Sequence, residues 1–175
     1  MEETIEIPEG FKVEMDGMDL SLTKDDDSLK KRFNSPLVDI DVTDESVVLT
    51  TNGEDRKSKA MIGTYRSHIK NMIQGLQEGY TYKLQTVYAH FPMNVKVSGN
   101  KVIIQNFIGE RSSREIKIMD GVSVSVNDDE VTVTGNDKEK VSQTAAMIEQ
   151  KCKKGKRDPR VFQDGIYLTK GGGEA

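Results

Sequence analysis

Lysine and arginine crowd together near the end of the chain. Lys151, Lys153, Lys154, Lys156, Arg157 and Arg160 fall within ten positions, and only Asp158 opposes them. Gly155 and the Asp158-Pro159 step prevent a helix from running through, Pro because it has no N–H to donate. The expected product is a short, irregular, positively charged finger. An apolar stretch is expected to anchor it: Val161 and Phe162, then Ile166, Tyr167 and Leu168 after the Asp164-Gly165 turn. Such a loop suits a polyanion, because Lys and Arg neutralise the phosphates that dominate nucleic-acid affinity. A second basic element, NFIGERSSR at Asn106–Arg114, carries Arg111 and Arg114 near Gly109, with Ser112 and Ser113 as additional hydroxyl donors. The bland alternatives are a solvated charge run and an ordinary polar loop. Two cationic loops in the same half of the chain favour phosphate binding over either.

Catalytic chemistry finds little support. His68 and His90 are the only histidines, and neither has a partner at a motif spacing. No glycine-rich phosphate loop is present. One cysteine and two separated histidines give no zinc spacing, and Asp25-Asp26-Asp27 lacks the spacing of a calcium loop. The expectation is no catalytic residue, no metal, no cofactor and no small-molecule substrate.

The elements that must hold the two basic loops are legible as a duplication. VDIDVTDESVVLTTN at Val38–Asn52 and VSVSVNDDEVTVTGN at Val122–Asn136 match at an offset of 84 residues. Both alternate apolar and polar residues around an acidic turn, which predicts a β-hairpin with one buried face. Lys12–Leu22 and Lys96–Gln105 form a second such pair around Gly17 and Gly99. A helix is predicted after each hairpin of the first pair. The first spans about Lys57–Gln77, with Met61, Ile62, Tyr65, Ile69, Met72, Ile73 and Leu76 as its apolar stripe, and Gly79 ending it. Lys59, Arg66 and Lys70 lie on another face. The second is predicted to start with Asn136 as cap and Glu139 completing a capping box. Its buried stripe is Val141, Ala145, Ile148 and Cys152, and it runs directly into the basic finger. Leu84, Thr86 and Tyr88 alternate with Lys83, Gln85 and Val87, which predicts a strand opening the second half. The fold class is therefore α+β: two tandem duplicated domains, each a small antiparallel β-sheet with one helix packed on a face. The domains are read as 1–80, acidic, and 81–175, carrying the basic loops and ending in a short disordered tail.

Charge is segregated along the 175 residues. Residues 1–55 hold 5 Lys/Arg against 16 Asp/Glu, and residues 56–118 hold 11 against 3. Residues 151–175 hold 7 against 3, within a net charge of −4. A polyanion would be bound locally, not wrapped around the whole protein. The single Cys152 excludes an internal disulfide and fits a reducing compartment. The acidic MEETIEIPEG start does not read as a signal peptide, and no apolar run approaches the roughly 20 residues that span a bilayer. A cytoplasmic protein without a membrane partner is expected.

Three stretches resemble a known family. GTYRSHIKNMIQGLQEGY at Gly63–Tyr80 is similar to the first-helix signature of the universal large-subunit ribosomal protein six family. NFIGERSSR is similar to its second-domain loop. KRDPRVFQDGIYL at Lys156–Leu168 resembles the archaeal and eukaryotic C-terminal signature, where bacterial members carry a different glycine- and lysine-rich version. The resemblance covers essentially the whole chain and implies two α+β domains that bind large-subunit rRNA mainly through the second. It also implies a place near the base of the acidic stalk, beside neighbouring ribosomal proteins and the factor-binding centre. By motif, Arg111 and Arg114 match the basic positions of the loop, and Lys156, Arg157 and Arg160 match the finger. Lys151, Lys153 and Lys154 extend that finger. Arg66, Lys70 and Asn71, in the first-helix signature, are further candidates for rRNA contact. The acidic net charge departs from the basic habit of ribosomal proteins, so the first 55 residues are expected to face solvent, protein or ions.

The reading that follows is a non-enzymatic structural constituent of the large ribosomal subunit. The rival is a non-ribosomal interaction module whose acidic first half docks a basic partner. An enzyme is disfavoured because no nucleophile, base and orienting group come together.

Overall fold

The computed structural model describes residues 2–43, 45–51, 53, 55–153, 158 and 160–171. The chain divides into two compact units, Met1–Gln77 and Glu78–Ala175.

The first unit holds β1 (Glu2–Glu6), β2 (Phe11–Asp16), β3 (Asp19–Lys24), β4 (Asp27–Arg32), β5 (Asp39–Val42), β6 (Ser46–Thr50) and α1 (Arg56–Gln77). Two antiparallel three-stranded sheets form, in the orders β1-β6-β5 and β2-β3-β4. Period-two patterning decides which residues go inside. Leu20 and Leu22 of β3 and Val47 and Leu49 of β6 are fully buried, and Ser21 and Val48 between them are not. Across them lies the predicted stripe of α1, with Ile62, Tyr65, Ile69, Met72, Ile73 and Leu76 buried. Burying each such side chain is worth about 1.5–3 kcal/mol. Lys59, Arg66 and Lys70 remain exposed on the opposite face. Gly79, just past the helix, has φ +74°, a left-handed conformation that a Cβ would strain. His68 is structural: Lys31 Nζ lies 3.1 Å from its Nδ1, and its ring meets Phe33 edge-on.

The second unit repeats this plan: β7 (Tyr80–Val87), β8 (Asn94–Ser98), β9 (Lys101–Gln105), β10 (Arg114–Lys117), β11 (Val122–Asn127), β12 (Glu130–Gly135) and α2 (Lys138–Lys151), then β13 (Gly165–Lys170). The sheet order β11-β12-β7-β13 repeats β5-β6-β1 with one strand added, and β10-β9-β8 repeats β4-β3-β2. The α+β duplication therefore extends to topology. Each unit carries two small sheets where alternation suggested one, because both hairpin pairs have their own buried face and pack them on a shared core. Leu84, Val102, Ile104, Val131, Val133 and Ile148 are fully buried there. Tyr80 is buried in this second core as well.

The added strand matters most. β13 pairs with the free edge of β7, Gly165 opposite Val87 through Leu168 opposite Leu84. Glu149 of α2 accepts a hydrogen bond from the Leu168 amide at 3.2 Å. The basic segment is thus clamped at both ends, by α2 before it and β13 after it. The apolar anchor differs from expectation. Val161 is 72% exposed and Phe162 39% exposed, so strand pairing and buried Ile166 hold the segment, not burial of that dipeptide.

The start of α2 also differs. The cap is Asp137, not Asn136: its carboxylate accepts hydrogen bonds from the amides of Glu139 (2.9 Å) and Lys140 (3.4 Å). Helical geometry begins at Lys138, which leaves Glu139 one position short of a capping-box role. Its charge still suits the positive end of the helix dipole. Asp137→Ala should cost about 1 kcal/mol of stability, read as a lower denaturant midpoint at unchanged slope.

Candidate nucleic-acid interface

Three loop segments of the second unit are fastened to one another. The first, Tyr88–Met93, leaves β7. Its Pro92 carbonyl accepts a hydrogen bond from Asn106 Nδ2 at 3.0 Å, in the second segment. A Cβ on Gly109 would lie 3.3 Å from the Phe91 ring, so the second segment also packs directly on the first. Gly109 has φ +74°, and the neighbouring Asn106 (φ 60°) and Ile108 (φ 50°) are left-handed too. For a β-branched residue such a conformation is a genuine outlier, costing roughly 1–2 kcal/mol. Strain of this kind persists only where surrounding contacts dictate it, and it clusters at functional sites.

Arg114 dictates it here. Its Nε and Nη2 donate to the two carboxylate oxygens of Glu110 at 2.8 and 2.6 Å. Its guanidinium stacks 4.3 Å from the centroid of the buried Phe107 ring. Nη1 donates to the Lys151 carbonyl and, at 3.3 Å, to the Lys153 carbonyl. The hydrogen bonds it donates to Glu110 push the guanidinium pKa still further up. Arg114 thus joins the 106–114 loop to the C-terminal end of α2, where the basic segment begins. It was expected to hold phosphate. Four of its five N–H donors engage Glu110 and two carbonyls, and only 23% of its side chain is exposed, so within this fold it acts as a brace.

The brace ties together segments that carry exposed cations. Arg111 lies in the loop, and Lys151 and Lys153 leave the end of α2. Among the described residues none forms an ion pair with these three. Arg160 pairs with Asp158 at 3.1 Å, and its side chain is 89% exposed. That hydrogen bond holds the Asp158 carboxyl below its ordinary pKa. A pair so exposed is weak and exchangeable, so Arg160 can turn to a phosphate. Lys154, Lys156 and Arg157 lie outside the described residues, as do 172–175 of the predicted disordered tail. Lys83 and Lys101 are already engaged by Glu130 and Glu115 on adjacent strands.

Sequence reading missed the aromatic part of this surface. Tyr88 and Phe91 are 41% and 40% exposed, and His90 meets Phe91 edge-on at 4.9 Å. Exposed rings beside cations offer stacking faces for unpaired bases. The signal was present in the run YAHFP, but spacing alone does not separate it from core. Arg66, Lys70 and Asn71 belong to the first unit. Arg66 is bound to Glu3 of β1 at 3.1 Å, which ties α1 to its sheet; Lys70 is exposed and Asn71 half-buried.

The model of the family described as ribosomal protein L6 matches residues 7–79 and again 91–165. The chain belongs to the ribosomal protein L6 family. The two matches coincide with the two copies of the duplicated unit. Relatives of the family align over nearly their whole length. The large ribosomal subunit protein uL6 of Methanococcus vannielii is 48% identical over 98% of this chain and 94% of its own. That of Methanosphaera stadtmanae is 50% identical over 95% and 91%, and that of Halobacterium salinarum 44% over 94% and 93%. These archaeal relatives agree with the archaeal type read from the C-terminal signature.

Cys152 sits under the brace, buried where α2 ends. Burial pushes its thiol from the ordinary 9.0 up to about 11, despite the nearby Arg114. A raised folded pKa favours the protonated thiol in the native state. Stability should be unaffected by this group below about pH 9 and decline between about 9 and 11. The native thiol should also resist alkylation at pH 8 and react on unfolding, as iodoacetamide labelling with mass spectrometry will read.

Proposed function

We propose that this chain is a non-enzymatic, cytoplasmic constituent of the large ribosomal subunit that grips rRNA through its second unit. The proposed place is near the stalk base and the factor-binding centre, with neighbouring ribosomal proteins as its other partners. Family membership supports the ribosomal role, since the relatives carry the name of large-subunit proteins. The observation that supports the rRNA assignment is the Arg114 brace, which ties the loop carrying Arg111 to the end of α2, where Lys151 and Lys153 lie. Cations from abutting segments meet a folded phosphate backbone as a group, and the exposed rings of Tyr88 and Phe91 supply stacking. Recognition of folded RNA of this kind rests on shape and 2′-hydroxyls more than on base identity.

A photo-crosslinking residue at Ser112, exposed in the loop, tests the assignment in assembled large subunits. The expected product joins this chain to rRNA. A product with protein alone would remove the loop from the proposed interface.

A further inference from the structure

The first unit carries an acidic surface, opposite in charge to the proposed rRNA interface of the second unit. A groove of about 800 Å³ runs between the β2–β3 turn, the Phe33–Val38 segment and β5. Its size falls in the range of about 300–1,000 Å³ typical of ligand-binding clefts. Met15, Phe33, Val38 and Ile40 supply the apolar lining, and Met18 at the turn is half-exposed. The walls are fixed in place. The Leu37 carbonyl accepts a hydrogen bond from Thr51 Oγ1 at 2.7 Å, and the Met18 carbonyl accepts one from the Phe33 amide at 2.7 Å. β5 is the outer strand of its sheet, and its Asp39 and Asp41 stand exposed along the rim. Among the described lining residues no cation balances them.

Methionine-lined surfaces adapt to varied apolar partners, and a carboxylate rim selects by charge. Residues 1–55, with 5 Lys/Arg against 16 Asp/Glu, extend the same sign over the sequence around the groove. Phosphate backbones are repelled by such a surface. We propose that this groove docks a Lys- and Arg-rich peptide segment of another protein, with one or two apolar side chains entering between Met15, Met18 and Ile40 while its cations meet Asp39 and Asp41.

The full chain, titrated by fluorescence anisotropy with three labelled twelve-residue peptides, tests this. One peptide alternates Lys with Leu, one Lys with Ser, and one Glu with Leu. The Lys/Leu peptide should bind at least about tenfold more tightly than either control, and added salt should weaken it. It should shift the methyl resonances of Met15 and Met18. The double variant Asp39→Lys/Asp41→Lys should lose about tenfold in affinity, and Met18→Ser should weaken binding without changing the salt dependence. Equal affinity for all three peptides would overturn the proposal. So would unchanged binding by the Asp39→Lys/Asp41→Lys variant, or methyl shifts confined elsewhere. Methyl shifts at Met15 and Met18 on adding an rRNA fragment alone would assign the groove to RNA and overturn it equally. Native-like circular dichroism of each variant keeps loss of binding distinct from loss of fold.

Discussion

Glutamate at positions 156, 157 and 160 together lowers affinity for a large-subunit rRNA fragment by at least about a hundredfold at about 0.1 M salt. Each neutralised phosphate releases counterions, and three reversed charges lose about three such contacts and add repulsion. The fold should not change. Lys156, Arg157 and Arg160 fall between α2 and β13 in the sequence, and β13 is held by its own described residues. Ile166 is buried, and β13 keeps its register on β7. Unchanged thermal unfolding with lost binding is the expected pair of results. Gel-shift titration and calorimetry on the same preparation read both. The order of effects is also specific. Glutamate at Arg66 or Lys70 in the first unit should cost far less, because Arg66 serves Glu3.

Arg114→Ala acts through the fold. It removes the two-pronged contact to Glu110, the stack on Phe107 and the capping of two carbonyls at the end of α2. Charge-assisted hydrogen bonds of this kind, left without a partner, cost about 2–3 kcal/mol in total after allowance for the partial exposure of the pair. For a unit of this size that lowers the melting temperature by about 10 °C or more. Affinity for rRNA should fall as well, because the 106–114 loop and the end of α2 are no longer fastened together. Arg114→Lys keeps the charge but not the planar fork, so it should recover little stability. A simple phosphate contact would behave otherwise: Lys would restore binding and neither variant would lower the melting temperature.

The contrast between these two predictions marks what patterning could reveal. The basic run was legible only as a crowding of cations within ten positions, with Lys154, Lys156 and Arg157 outside the described residues. Both hairpin pairs and both helices were legible because period-two and period-3.6 alternation survive without knowledge of partners. The duplication followed from the offset of 84 residues, but the division of each unit into two sheets did not. The bracing contacts of Arg114 were not legible because its partners are invisible in one dimension. Glu110 lies four residues before it in a non-helical loop, and the Lys151 and Lys153 carbonyls lie 37 and 39 residues away. Basic residues in loops are ambiguous until their neighbours are placed. The cap of α2 shows the same limit at shorter range. Asn136 and Asp137 are both good caps by type, and only the backbone turn decides which carboxylate or amide reaches the first free amides. Tyr88 alternates in phase with Leu84 and Thr86, yet the chain leaves it and Phe91 at the surface.

The salt dependence of rRNA-fragment binding tests the central claim most directly, measured for the full chain and for the Lys156→Glu/Arg157→Glu/Arg160→Glu variant. A grip of about five phosphates predicts a log–log slope near −4 for the parent chain, shallower by about 2 or more in the variant. Equal slopes for the two proteins would mean that these cations do not meet the RNA backbone, and the assignment of the second unit as the rRNA-gripping half would be contradicted.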